Sequence, residues 1–236
     1  MLAQDFPELS FALLGSVVPY GPRISGSPPT ERKPLRAMER VLVVPTQLVL
    51  VHLEPHPDGF HPGREKACLG VVAQHGFFED RSAAESNPEL KQIIPYGMIL
   101  WQDQVLLLKR LRLGEETRLY DKASMGVGGH VNPLDADGGG LDEAVARAFE
   151  RELHEELTIE SAYQSEAVGV LNDDSNPVGR VHMGIVYRLE LEEPRARVRE
   201  SERLLGSFVP KSQVFRHRLS LETWSGMLQE HYWPSK

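Results

Sequence analysis

The sequence predicts an α/β protein, because short strand-like runs fill most of the chain and two stretches change to a helical period. Runs rich in branched apolar residues alternate with segments rich in proline and glycine. Between Asp142 and Leu157 the apolar residues recur at helical spacing, at Val145, Phe149 and Leu153. A second amphipathic stretch, 219–233, ends the chain as a predicted helix. No internal repeat is evident.

Length and composition fit one globular domain with room for an appended segment. The chain has 236 residues, 41% of them hydrophobic and 25% charged. A formal net charge of -8 argues against nucleic acid as a partner, because such binding requires a basic surface. A small phosphorylated ligand stays compatible, since a bound divalent cation supplies positive charge locally.

The single cysteine, Cys68, allows no internal disulfide, and we interpret it as a small apolar filler rather than a catalytic thiol. No run approaches the roughly 20 apolar residues that a membrane-spanning helix needs. The first residues carry an acid and no base before a short apolar run, the reverse of a signal peptide. We therefore expect a cytoplasmic protein with no membrane partner.

The first 37 residues differ from the rest, with five prolines between positions 17 and 34. They predict a flexible or extended arm. The strand-like pattern starts at Met38, and one hypothesis is that Met38 is the natural start. We predict a domain over 38–236, whose segment 38–90 adds strands to the central sheet or builds a dimer interface.

The elements follow in order along this domain. Polar residues separate several of them: 55–66 is a predicted loop, Gln102 and Asp103 form a hairpin turn, and Asp173–Gly179 is a polar loop. Asp142 is expected to cap the helix that runs to Leu157. The predicted strands are 41–44, 47–53, 69–73, 92–101, 104–112, 123–131, 167–172, 180–191 and 207–210.

Three carboxylates, Glu152, Glu155 and Glu156, lie on one side of the predicted helix because they are three and four residues apart. Like charges at this spacing repel each other, and a bound Mg²⁺ or Mn²⁺, which prefers oxygen ligands, would offset that cost. The alternative is a solvated acidic face that Arg147 and Arg151 balance. Spacing alone does not decide between them.

The residues around the cluster favour the metal site, because they resemble the signature of the Nudix hydrolase family. That signature is glycine, five residues, glutamate, seven residues, Arg-Glu-aliphatic-any-Glu-Glu, any residue, glycine and an aliphatic residue. Its second half stands here as Glu143, seven residues, and then Arg151 to Ile159 in the order Arg-Glu-Leu-His-Glu-Glu-Leu-Thr-Ile. Only Thr158 departs from it, replacing the glycine that usually closes the helix.

The first half of the signature departs more. Gly128 and Gly129 precede the helix, but Gly129 and Glu143 are 14 positions apart where the family has six. Eight residues are thus inserted, in the region NPLDADGGG. Similarity to an uncharacterised bacterial Nudix subgroup extends over roughly 40–232. The resemblance implies a Nudix-type α/β/α sandwich with a mixed, curved central sheet.

The resemblance also implies a reaction, the hydrolysis of a diphosphate linkage in a small nucleoside diphosphate derivative. Mg²⁺ or Mn²⁺ would be held by Glu152, Glu155 and Glu156, with the carbonyl of Gly128. Arg151 would pair with Glu155 or orient a neighbouring carboxylate. The general base would be a box glutamate or a later one, for which Glu202 is our candidate and Glu200 its rival. The alternative for both is ordinary surface charge.

Four residues are candidates for substrate contacts, each with a plain structural alternative. Lys109 and Arg110 end a strand and could meet phosphate, although basic strand ends are often just solvated. His130 follows the glycines directly, although a lone histidine is more often structural. Asp173 opens the polar loop, where the alternative is an Asx turn.

Other functions compatible with this fold are a non-catalytic, ligand-sensing Nudix domain and an isomerase of the isopentenyl diphosphate type. Loss of box glutamates would favour the first, and none is lost. The second needs a cysteine–glutamate pair, and Cys68 lies outside a matching motif. Relatives commonly dimerise, so a homodimer is possible. The identity of the substrate cannot be predicted from the sequence.

Overall fold

The computed structural model of the chain describes residues 39–110, 122–199 and 204–234. The predicted arm therefore lies outside the described residues. The helices are α1 (Thr46–Leu50), α2 (Glu65–His75), α3 (Arg81–Ala84), α4 (Leu141–Glu156) and α5 (Thr223–Tyr232). Short 3-10 helices cover 133–136, 179–181 and 211–220. The strands are β1 (Arg40–Pro45), β2 (Gly59–Pro62), β3 (Phe77–Asp80), β4 (Leu90–Trp101), β5 (Gln104–Arg110), β6 (Ala123–Ser124), β7 (Gly126–Gly128), β8 (Leu157–Ile159), β9 (Tyr163–Asn172), β10 (His182–Leu191), β11 (Ala196–Val198) and β12 (Leu204–Pro210).

A mixed sheet organises the molecule, as the resemblance predicted. Its main path runs β12-β5-β4-β10-β9-β2, with β1 and β7 also paired to β4. The central pair, β4 and β10, is parallel, whereas the other pairs are antiparallel. The two-residue turn at Gln102 and Asp103 joins β4 to β5 as predicted. A separate small sheet joins β8 to β11.

Helices cover both faces of the sheet. Side chains alternate along β4, so Ile93 and Ile99 belong to the core that contains α4, while Met98 and Leu100 belong to the core beneath α5. On the α4 side, Phe149 stacks on the ring of Tyr187 with ring centroids 4.4 Å apart. These two cores make the molecule the predicted α/β/α sandwich.

Two predicted strands are helices, which corrects the interpretation of 47–53 and 69–73. The first forms α1 and a following turn, and the second lies within α2. In α2 the buried residues are Glu65, Cys68 and Val72, a helical spacing. A short apolar run such as LGVVA does not distinguish a strand from a buried helix, so burial of one side decided it.

Two smaller predictions were wrong as well. The predicted loop 55–66 contains β2, which pairs with β9, and it also contains the start of α2. Asp142 does not cap α4: the helix begins at Leu141 after Gly140, and no side chain caps it. Asp142 lies in the first turn, where a negative charge interacts favourably with the helix dipole and stabilises the helix.

The exit of α4 explains Thr158. The residue after the helix, Leu157, is extended, with φ -122° and ψ 148°, and begins β8 directly. Thr158 pairs with Arg197 on β11. No left-handed position closes the helix here, so the glycine of the family signature is not required. None of the helices that the structure describes is long and apolar enough to cross a membrane.

Candidate active site

The helix α4 holds the predicted carboxylates in place through its opposite side. Its buried residues are Ala144, Val145, Ala148, Phe149 and Leu153. The side chain of Glu152 is 15% exposed and that of Glu155 is 58% exposed. Glu156 is the last residue of the helix and is partly buried. The three acids therefore range from nearly buried to open along one edge.

Gly129 lies against the carboxylate of Glu152. A Cβ atom at this position would stand 2.2 Å from Glu152 Cδ and 2.3 Å from Oε1. At Gly128, a Cβ would stand 2.2 Å from the carbonyl oxygen of Pro95. Side chains are excluded at both positions, which lets the end of β7 approach the acid closely.

Arg151 connects three carboxylates and the strand. Its Nη1 donates to Glu152 Oε1 at 2.6 Å and to Glu155 Oε2 at 3.3 Å. Its Nη2 donates to the carbonyl oxygen of His130 at 2.8 Å. The sequence offered pairing with Glu155 and orientation of a neighbouring carboxylate as alternatives, and in the structure Arg151 bonds both to Glu155 and to its neighbour Glu152.

The third carboxylate is Asp135, which the sequence analysis missed. Arg151 Nε and Nη2 donate to its two oxygens, each at 2.9 Å. Asp135 is 6% exposed, and its Oδ2 also accepts the backbone N–H of Asn132 at 2.7 Å. These hydrogen bonds raise the pKa of Arg151 further above its ordinary value, so this guanidinium is permanently charged.

Part of the inserted region NPLDADGGG therefore belongs to the site, because its Asp135 bonds to Arg151. It forms the 3-10 helix 133–136, and Arg147 Nε donates to the Asp135 carbonyl at 2.5 Å. Asp135 stands six positions after Gly129, the spacing at which the family signature has its first glutamate. Glu143 instead pairs with Arg147 at 3.4 Å and is exposed. That glycine-to-acid spacing was the sequence signal that could have identified Asp135.

The donor set fits a hard divalent cation. Burial raises the pKa of Glu152, because a desolvated carboxylate is costly to charge, and this effect outweighs the hydrogen bond and charge of Arg151, which lower the pKa. The available groups are carboxylate and carbonyl oxygens, which such cations prefer. Gly129 has no side chain, so the Glu152 carboxylate lies directly against the end of β7. Within the described residues, no three acidic, histidine or cysteine side chains are already arranged around a metal position. Glu152 and Glu155 accept hydrogen bonds from Arg151 instead, so a bound metal ion would replace these hydrogen bonds with metal–oxygen contacts.

The predicted contact residues fall into different surroundings. His130 is half-buried, and its Nε2 lies 3.0 Å from Gln92 Oε1. Burial lowers the pKa of His130 to about 4. Lys109 is exposed near the end of β5, opposite Leu205 of β12. The side chain of Arg110 lies outside the described part of the structure.

Asp173 is buried inside its own loop. One carboxylate oxygen accepts from the Ser175 backbone N–H at 3.1 Å and from its hydroxyl at 2.5 Å. The other accepts from Asn176 Nδ2 at 2.6 Å. This is the Asx-turn arrangement that was the alternative to a substrate contact. Both oxygens are engaged in ordering the loop.

The candidate bases, Glu202 and Glu200, lie outside the described residues. The residues that flank them are described: Arg199 donates its backbone N–H to the Glu156 carbonyl at 2.9 Å, and Leu204 pairs with Arg110. Arg199 Nη1 also donates to the carbonyl of His154 at 2.6 Å. Arg199 therefore lies at the carboxyl end of α4, beside Glu156.

Together these features define a class of protein. A mixed sheet between helices, with a glutamate-rich helix facing a glycine-ended strand, is the arrangement that the resemblance predicted for a diphosphate hydrolase. Glu152 lies against Gly129 and accepts a hydrogen bond from Arg151, where α4 meets the end of β7.

Comparison with known proteins supports this class. No protein-family model matches the chain. Protein YmaB of Bacillus subtilis (strain 168) is 39% identical over 150 residues, which are 61% of this chain and 72% of that protein. The crystal structure of Tm1382, a candidate Nudix hydrolase, is 29% identical with a TM-score of 0.70, covering 82% of this chain and 97% of that one. The chain belongs to the Nudix hydrolase family, an enzyme family whose kind of reaction is pyrophosphate hydrolysis.

Proposed function

We propose that the protein hydrolyses a diphosphate linkage in a nucleoside diphosphate derivative and depends on Mg²⁺ or Mn²⁺. The observation that carries this proposal is the Glu152 carboxylate, which lies against Gly129 and is held there by Arg151. A nearly buried acid with a raised pKa, with Glu155 and Glu156 one turn further along the same helix, is well suited to a cation and poorly suited to solvent.

The residues that would hold the cation are Glu152, Glu155 and Glu156, with the carbonyl oxygen of Gly128. When bound, a divalent ion neutralises charge on diphosphate oxygens and lowers the pKa of a coordinated water. The protein itself would contribute by positioning the carboxylates and the diphosphate relative to each other. The buried stripe of α4 fixes the helix on the sheet, and the small glycines let the diphosphate and the carboxylates approach the same strand end.

Arg151 would orient Glu152 and Glu155 before the substrate arrives, since it bonds to both. Its charge is held in turn by Asp135. The base that removes a proton from the attacking water would be a box glutamate or Glu202, with Glu200 as the alternative. Arg199, the described residue that precedes these two glutamates, donates its backbone N–H to the Glu156 carbonyl.

The decisive test measures phosphate release from a panel of nucleoside diphosphate derivatives with and without Mg²⁺ or Mn²⁺. We expect Glu152→Gln and Glu156→Gln to lower turnover by about a hundredfold or more, because each removes a charged oxygen ligand. Binding of Mn²⁺, followed by electron paramagnetic resonance, should weaken in parallel.

The matched control is Glu150→Gln on the same helix, whose carboxylate pairs with His154 and accepts from Tyr163 rather than facing the glycines. It should retain turnover and Mn²⁺ binding. Full turnover in Glu152→Gln and Glu156→Gln would rule out the metal-dependent hydrolase. Turnover that is absent from every variant and from the wild type would favour the ligand-sensing alternative.

The isomerase alternative gains no support. Cys68 is buried in α2, and burial raises the pKa of its thiol to about 11. A protonated thiol inside the core is unavailable for acid–base chemistry.

A further inference from the structure

A polar cluster of three side chains, Gln92, His130 and His182, lies beside the site and has no part in the proposed chemistry. Gln92 is the third residue of β4, His182 begins β10, and the two are partners in the parallel register. The rings of His130 and His182 are 5.7 Å apart and tilted by 56°. His130 directly follows Gly129, so the cluster adjoins the glycine that contacts Glu152.

Gln92 is fully buried, yet its amide is only half satisfied. Its Oε1 lies 3.0 Å from His130 Nε2, while its Nε2 has no hydrogen-bond partner among the described residues. Exchanging the two ends of the amide would leave the oxygen unpaired instead. A buried polar atom without a partner costs free energy, which a ligand would recover by bonding to it.

The two histidines supply hydrogen-bond acceptors beside the unpaired Gln92 Nε2 donor. His182 Nδ1 lies 2.7 Å from the Val178 carbonyl and donates to it, which leaves Nε2 as an acceptor without a partner in the described part of the chain. His130 donates from Nε2 to Gln92 and keeps Nδ1 as an acceptor. Both rings are half-buried, so a ligand can reach them.

The charges around the cluster are already compensated. Arg81, the cation with the largest electrostatic effect on His130, is paired with Glu39 at 2.8 Å and with Glu85 at 2.9 Å. Lys91, which acts on His182, is paired with Asp174 at 2.5 Å. Both of these cations are thus neutralised by carboxylates, whereas the amide of Gln92 and the two imidazoles are uncharged donors and acceptors.

We infer that Gln92, His130 and His182 form a recognition site for the uncharged nucleoside part of the substrate. This inference rests on the proposed function for the position of the diphosphate. Two tilted imidazoles offer flat surfaces to a base, and the amide and the imidazole nitrogens offer hydrogen bonds to its edge.

Binding of free nucleosides tests the site without turnover or metal. Adenosine, guanosine, cytidine and uridine are titrated separately into the full chain in EDTA, with calorimetry as the readout. We expect at least one to bind in the millimolar range or tighter. Gln92→Met, which keeps length and removes the amide, should weaken that binding by about tenfold. Inorganic phosphate should not compete.

The matched control is Gln74→Met, since Gln74 is exposed on α2. His182→Asn provides a second test of the same site if Gln92→Met is unstable. Absence of binding by all four nucleosides, equal binding in the Gln92 and Gln74 variants, or competition by phosphate would overturn the inference. Nucleoside binding without turnover would instead count against the proposed hydrolase alone.

Discussion

At the scale of single residues, Arg151 is the organising group of the site. It donates to Asp135, Glu152 and Glu155, so one guanidinium distributes its charge among acids of very different exposure. The bidentate pair with Asp135 is nearly buried, which makes it stronger than an exposed pair. The other two bonds can then change without loss of the position of Arg151.

The first prediction concerns Asp135. Asp135→Asn keeps the shape of the side chain but removes its charge, so Arg151 should be held less firmly and Glu152 oriented less well. We expect turnover to fall by about tenfold, corresponding to roughly 1.4 kcal/mol, with a smaller change in KM. Steady-state kinetics and Mn²⁺ binding measure the effect.

Asp137→Asn is the matched control, because Asp137 lies in the same insertion but is exposed. It should behave as the wild type. Equal kinetics for the two variants would mean that the insertion does not position Arg151.

At the scale of elements, α2 shows how tertiary contacts decide whether a short apolar run forms a helix or a strand. Its buried positions face α4 and β1, and Cys68 is completely buried among them. The exit of α4 is a second case. The chain passes straight from helix to strand at Leu157, so Thr158 needs only an extended conformation, which β-branched residues favour.

The second prediction uses the titration of Cys68. Its folded pKa of about 11 lies above the ordinary value of 9.0, so the folded state retains a proton that the unfolded state loses. This contribution to stability is complete below about pH 9 and is lost as the pH rises from about 9 to 11. The difference in unfolding free energy between wild type and Cys68→Ala should therefore shrink over that window.

Urea unfolding at a series of pH values measures this difference, and comparison of the two proteins removes the contributions of tyrosine and lysine. A difference that stays constant from pH 8 to pH 11 would contradict the burial of the thiol. Slow labelling of the native thiol by a disulfide reagent gives an independent check.

At the scale of the whole molecule, one buried polar network joins α5 to the sheet. The Tyr96 hydroxyl lies 2.8 Å from Glu222 Oε1, 2.8 Å from Ser225 Oγ and 3.0 Å from Ser124 Oγ. Ser225 Oγ also accepts the Met125 backbone N–H at 2.7 Å. Residues from β4, from the segment that holds β6 and β7, and from α5 therefore share one network. Whether two such molecules form a homodimer in the cytoplasm stays a prediction.

The third prediction tests that network. Tyr96→Phe removes a fully enclosed hydroxyl and leaves its partners less satisfied, which should cost about 1–2 kcal/mol of stability. The expected fall in melting temperature is a few degrees for a chain of this size, measured by calorimetry.

Tyr163→Phe is the matched control. The Tyr163 hydroxyl donates to Glu150, whose side chain is 43% exposed and can bond to water instead. Its effect should be under about 0.5 kcal/mol. A smaller effect for Tyr96→Phe than for Tyr163→Phe would contradict the structural role of the network.

The sequence by itself determined the features that depend on local periodicity and on a signature. The α4 stripe, the long strands β4, β9 and β10, and the box from Arg151 to Ile159 could all be predicted, because helical and strand spacing are fixed by backbone geometry. The same register identified Glu152, Glu155 and Glu156 as candidate ligands.

Only the tertiary structure decided what depends on distant contacts. The helical state of 69–73 follows from which side is buried, and the role of Asp135 follows from a pairing across 16 positions with Arg151. The first is not encoded in a short window of sequence, and the six-residue spacing of Asp135 from Gly129 does not by itself show that Asp135 pairs with Arg151. In the folded chain Arg151 bonds to Asp135 as well as to Glu152 and Glu155, because folding brings the insertion back onto the helix.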